Sequence, residues 1–258
     1  MKGMVRQFVK YIFFVSVIII ITSYAGYTAL SSVNAACKIC SIDMAVVING
    51  GTPMVTLICP LAVVYGYIYV CKKYNYNTIS RYSSRMWIIG ESFKALIILC
   101  IIFVTEGLII NIITGYVRFG SLSNIYRYDS YMLNELGENG IILKRKITEI
   151  ELVMRSYGYS IVIVMFRSLF GIAIYFLTDK GWLGILAEFI MYVFFTKGNF
   201  LFSFLVRRNQ YTNIVRNNYS EIAVNEIFIS NMSRDISITI ILLLILIIII
   251  RKKDFIKT

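Results

Sequence analysis

The sequence predicts an all-α polytopic membrane protein of six transmembrane helices with both termini in the cytoplasm. Three observations carry that prediction. Hydrophobic residues make up 58% of the 258 residues and charged residues only 16%, against roughly 45–50% and about 25% in soluble domains. A soluble chain of this length needs a polar exterior, and this one has too little polar sequence to build it. Six apolar runs approach the ~20 residues that cross ~30 Å of hydrocarbon. The basic residues, finally, are spread unevenly over the segments that join those runs.

The runs lie at about 11–30, 53–71, 95–115, 159–177, 182–206 and 236–250. The first follows Lys2, Arg6 and Lys10, and Val33-Asn34-Ala35 beyond it resembles a signal-peptide cleavage site. Tyr11 to Leu30 is nevertheless longer than the ~7–15 residues of a secretory core, so an uncleaved first helix is expected. The second run carries Pro53 at its first turn and Pro60 in its interior, where a missing amide kinks a helix. The last, Ile236–Ile250, spans only about 22 Å at 1.5 Å per residue. Arg234 before it and Arg251, Lys252 and Lys253 after it can snorkel to the two interfaces. Isoleucine and valine are poor helix formers in water, but lipid compels helix because every backbone amide must find its partner internally. No internal repeat is visible, and the chain reads as one membrane domain, 1–258.

Charge orients the bundle. With both ends inside, the cytoplasmic segments 1–10, 72–94, 178–181 and 251–258 hold 13 basic residues and three acids. The opposite segments 31–52, 116–158 and 207–235 hold 11 basic and nine acidic residues. Lys and Arg concentrate in the short cytoplasmic segments of membrane proteins, so the net charge of +12 is a signature of topology. Nucleic acid is not an expected partner; the lipid bilayer of the cell membrane is.

The chain has no histidine, which removes the commonest general base, the Ser-His and Cys-His nucleophile pairs, and most zinc and haem sites. No catalytic residue, metal or cofactor is expected. Cys37-x-x-Cys40 lacks the further ligands that zinc wants and the preceding strand of a thioredoxin-like motif. It reads as loop cysteines, with a local disulfide left open.

The segment between the second and third runs is the most informative. Ile79, Tyr82, Met86, Ile89 and Phe93 step by three and four residues, one narrow stripe of a helix. Arg81 and Arg85 lie one turn apart on the opposite face, Thr78 can cap the start, and Trp87 suits the headgroup layer. The spacing predicts a short helix in the inner interface that bends into the third span. It serves either as an anchor on anionic lipid or as a docking element for a cytoplasmic partner.

Six spans, both ends inside and the stretch Asn77-Thr78-Ile79-Ser80-Arg81-Tyr82-Ser83-Ser84-Arg85 ahead of Trp87 resemble the permease subunits of ABC-2-type exporters. The likeness is to the small isoleucine-rich permeases of Gram-positive bacteria that act in peptide export or bacteriocin self-immunity. The resemblance implies that this loop is a coupling helix, so that Ser80, Arg81, Tyr82, Arg85 and Met86 would dock on a cytoplasmic ABC ATPase subunit. It also implies a second permease subunit, identical or homologous, and a partly re-entrant segment within 207–235. The chain lacks G-x-x-x-x-G-K-[ST] and so cannot cradle ATP phosphates in the P-loop manner; energy would come from the separate ATPase.

Glu106, Arg167, Glu188 and Lys197 fall inside the predicted spans. A charge at mid-bilayer costs ~2.5–3.5 kcal/mol on insertion scales, so such residues face the bundle interior or water and pair with one another. Glu106, Arg167 and Lys197 lie at similar depth by residue count. They are read either as the lining for a charged, peptide-like substrate or as a Glu106–Arg167 pair that fixes helix packing. Two functions follow from these residues: a transporter permease driven by an external ATPase, or an ATP-independent immunity or scaffold protein that holds a partner in the bilayer.

Overall fold

The computed structural model describes residues 16, 17, 20, 37–43, 45, 85–123, 129–131, 141, 145, 147–178, 180–196 and 223–252. The expected span at 53–71, most of that at 11–30, the second part of that at 182–206, and loop residues 72–84 lie outside them. Among the described residues every extended element is a helix: α1 (Arg85–Phe119), α2 (Glu149–Thr178), α3 (Gly181–Thr196) and α4 (Ala223–Lys252). No strand occurs there; Lys38 and Ser130 form an isolated parallel bridge. Three stretches are long and apolar enough to cross a membrane: Cys100–Phe119, Glu149–Thr178 and Met232–Arg251. They contain or overlap the apolar runs at 95–115, 159–177 and 236–250.

The helices outrun those runs, and local chemistry sets where they stop. Residues 85–89 were expected in an interfacial helix that bends into the third span. From Arg85 onward they belong to one continuous helix with it, because no proline interrupts the ladder and Gly90, with open space where its Cβ would be, only weakens it. At the other end Gly120 takes φ 68° and its amide donates to the Tyr116 carbonyl at 2.9 Å. This left-handed cap satisfies a carbonyl that the helix end would otherwise orphan.

Helix α2 starts at a Thr-x-x-Glu capping sequence. The Thr148 hydroxyl accepts the Glu151 amide at 3.3 Å and its carbonyl accepts the Leu152 amide at 3.0 Å. Glu149 and Glu151 in the first turn favour the positive end of the helix dipole, and Arg155 pairs with Glu151 one turn on. Ile147 and Thr148 lie just outside the helix. At its far end Thr178 donates to the Ile174 carbonyl at 2.8 Å and accepts the Lys180 amide at 3.4 Å. The chain then turns straight into α3. Val224–Ile229, within the segment expected to be re-entrant, belong to α4.

The chain packs as two compact units, each assembled from separated stretches: 1–57, 103–160 and 208–232 form one, and 58–102, 161–207 and 233–258 the other. In the first, Val104, Gly107, Asn111 and Gly115 make the buried face of α1, while Ile109, Ile113 and Val117 are exposed. In the second, Asp235, Thr239, Leu246 and Ile250 make the buried face of α4, while Ile236, Ile240, Ile241, Leu244, Ile245 and Ile248 are exposed. Both faces follow the 3.6-residue period, but their polarity is the reverse of a water-soluble helix. Asparagine, aspartate and threonine point in and isoleucine points out, as expected where the surrounding solvent is lipid. Helix α2 is the most enclosed of the three candidate spans, with 61% of its apolar window buried against 29% for α1 and 22% for α4.

Candidate functional site

The polar groups inside the helices are the candidate site, and each is positioned by its own helix. In the first unit the Ser16 hydroxyl donates to Glu106 Oε1, joining the first apolar run to α1. The second carboxylate oxygen, Oε2, is buried with no hydrogen-bond partner. The residue before Glu106, Thr105, holds its Oγ1 2.7 Å from Tyr157 OH and joins α1 to α2. Asn111, five residues past Glu106 on α1, is buried.

In the second unit Arg167 is completely buried and is the largest such side chain in the chain's described part. Ser168 beside it is also fully buried and returns its hydroxyl to the Val164 carbonyl at 2.7 Å. Thr239 does the same to Asp235 at 2.7 Å, and in the first unit Ser160 does so to Ser156 at 2.9 Å. These i−4 bonds satisfy hydroxyls that have no water to turn to. Asp235 is fully buried, and Arg234 reaches its Oδ1 at 3.4 Å from an exposed position.

Of the residues singled out from sequence, Glu106 and Arg167 are therefore both placed inward. Glu188 lies in α3 with its side chain outside the described set, and Lys197 lies outside the described residues. Of the residues expected to dock an ATPase, Ser80, Arg81 and Tyr82 also lie outside them, and Arg85 and Met86 open α1 with undescribed side chains. Sequence reasoning missed Ser16 as the Glu106 donor, and it missed Tyr157 and Asp235. A serine, tyrosine or aspartate near the end of an apolar run looks like ordinary interface sequence, and only packing separates the buried ones.

Outside the candidate spans a second polar focus forms where residues 37–45 fasten to the end of α1. Lys38 donates its amide to Asp129 (2.8 Å) and accepts that of Tyr131 (3.1 Å), and Ser41 and Ile42 donate theirs to Ser121 and Leu122 at 3.1 and 3.2 Å. The Ser41 hydroxyl donates to the Ile112 carbonyl. Cys37 is partly exposed and Cys40 buried, and neither is in a disulfide. Asp43 is fully buried and accepts the Cys40 amide on Oδ2 at 2.9 Å. Among the described residues no group of three or more Cys, Asp or Glu side chains is arranged to hold a metal ion.

Comparison with known proteins finds no matching family model, no matching curated protein and no matching solved structure. Among the described residues the fold is all-helical, and its apolar helices suit a membrane.

Proposed function

We propose that the chain is the permease subunit of an ATP-driven exporter of the ABC-2 type, with six spans and both termini in the cytoplasm. It sits in the cell membrane and moves a hydrophobic or amphipathic peptide-like substrate out of the bilayer or cell. A separate ATPase subunit docks on Ser80, Arg81, Tyr82, Arg85 and Met86, and a second permease subunit completes the route. Glu106, Arg167, Glu188 and Lys197 supply the polar lining.

The observation that carries this reading is the continuity of α1 from Arg85 to Phe119. Arg85 and Met86, the last of the proposed docking residues, open that helix, so force applied at them would travel along one continuous helix into the candidate span Cys100–Phe119. The inward placement of Glu106 and Arg167 supports a polar interior that a substrate could meet. Closure of two ATPase subunits on ATP would draw the docking segments together and tilt the attached helices, reopening the interface between permeases on the far side.

The test is purification of the chain in mild detergent from cells that express it natively. A nucleotide-binding subunit should co-purify and be lost in the double variant Arg81→Glu/Arg85→Glu. A chain that purifies alone, and whose cellular effect survives that double substitution, overturns the reading in favour of an ATP-independent protein that holds a partner in the bilayer.

A further inference from the structure

Among the described residues, 37–43 are fastened to the rest of the first unit by backbone hydrogen bonds to Ser121, Leu122, Asp129 and Tyr131 and by the Ser41 hydroxyl to the Ile112 carbonyl. Lys38 also pairs with Asp129 at 2.7 Å, exposed on both sides, and such pairs contribute little. Against this modest set of bonds stands one side chain with a large demand. Asp43 is fully buried; its Oδ2 accepts a single amide hydrogen, from Cys40, and its Oδ1 is buried with no hydrogen-bond partner. An ionised carboxylate held in that way has surrendered its hydration for the Cys40 amide and its weakly donating thiol, which is a poor exchange. A neutral carboxyl gives up far less.

We infer that Asp43 is an acid-set latch: while its carboxyl holds a proton, residues 37–43 stay fastened to 112, 121–122 and 129–131, and loss of that proton loosens them. This inference is independent of the transport reading. The groups acting on Asp43 come from two elements. On its own segment the Cys40 amide and thiol favour the anion; from the first turn of α2, Glu149 disfavours it by like charge. Burial outweighs them all, raising the Asp43 pKa to about 6. Once the segment is released into water the carboxyl returns to the ordinary range of about 3.9.

The direction follows from which form binds the proton more tightly. The fastened form does, so its advantage is complete below about pH 4, falls as pH rises, and is gone above about pH 6. A gap of about two pKa units allows at most a ~100-fold change in the opening equilibrium. The exposed Lys38–Asp129 pair works in the opposite sense, since acid can only weaken it.

Hydrogen–deuterium exchange on the full chain in lipid nanodiscs at pH 5 and pH 7.5, corrected for intrinsic rates, reads the latch directly. Protection of the amides of Lys38, Ser41, Ile42 and Tyr131 should fall roughly tenfold at the higher pH, while amides in the middle of α4 stay unchanged. Asp43→Asn, which keeps an acceptor for the Cys40 amide and carries no charge, should abolish the difference. Equal wild-type protection at the two pH values overturns the proposal, as does an Asn variant with the wild-type pH dependence. Should that variant fail to fold, Glu149→Gln provides the second test. It should move the wild-type midpoint to lower pH, and an unmoved midpoint counts against the proposal.

Discussion

Gly120 is a residue whose identity its backbone angle dictates. At φ 68° an L side chain is disfavoured by ~1–2 kcal/mol, and nothing lies within 4 Å of where its Cβ would stand. Gly120→Ala should therefore cost about 1 kcal/mol through conformation alone, and a modest drop in melting temperature in detergent would measure it. Charged residues in the helices behave differently. Glu106→Gln keeps an acceptor for the Ser16 hydroxyl and removes a buried charge, so its melting temperature should match the wild type within error. Arg167→Ala empties the largest fully buried side-chain position among the described residues, a truncation that should cost on the order of 2–5 kcal/mol; folded yield after detergent extraction is the readout. Glu106 and Arg167 were legible in the sequence because a charge stands out in an apolar run. Asp43 was not, since a lone acid in a polar connection looks like solvated sequence until packing closes over it.

At the scale of elements, α2 and α3 fold back on one another across a two-residue connection and meet at glycine. A Cβ placed on Gly184 would come 2.5 Å from the Gly171 carbonyl oxygen, a backbone atom that cannot swing aside. Gly184→Ala must push the two helices apart and should lower stability by roughly 1–3 kcal/mol. Gly158 is the control. There the nearest atom is the flexible tip of Met232 at 3.6 Å, so Gly158→Ala should remain within about 1 kcal/mol of wild type, helped by better helix propensity. Thermal unfolding of the two variants side by side decides whether backbone proximity or mere loss of glycine matters. Hydropathy located both helices but could not see this approach, because apolar counts say how greasy a run is and not what it touches. It also misjudged the boundaries. Helix α1 begins ten residues before the run at 95, and α4 thirteen before the run at 236, since a hydrogen-bond ladder continues through polar side chains until a cap or breaker stops it. The Glu151–Arg155 pair shows the complementary case, where a four-residue spacing is enough to bring two charges together on a helix.

At the scale of the molecule the outward isoleucines and inward polar groups decide what surrounds the chain. Leu244, near the middle of the last apolar run, is 54% exposed. On a water-soluble protein Leu244→Lys would fall within about 0.5 kcal/mol of neutral; in a lipid-facing helix it should cost ~2.5–3.5 kcal/mol at insertion. Loss of the variant from the membrane fraction, with Thr258-tagged wild type as reference, checks this. The helices also exceed the layer they are suited to. Helix α1, with 35 residues, measures about 52 Å at 1.5 Å per residue, against ~30 Å of hydrocarbon. Even leaning by 40°, the upper end of what spans adopt, it would stand about 40 Å tall. Some 10 Å of stiff rod must therefore emerge into headgroups or water, and the Arg85 end is where basic sequence gathers. A spar that overhangs its deck offers purchase: whatever grips the protruding stub turns the whole mast, with no need to enter the oil.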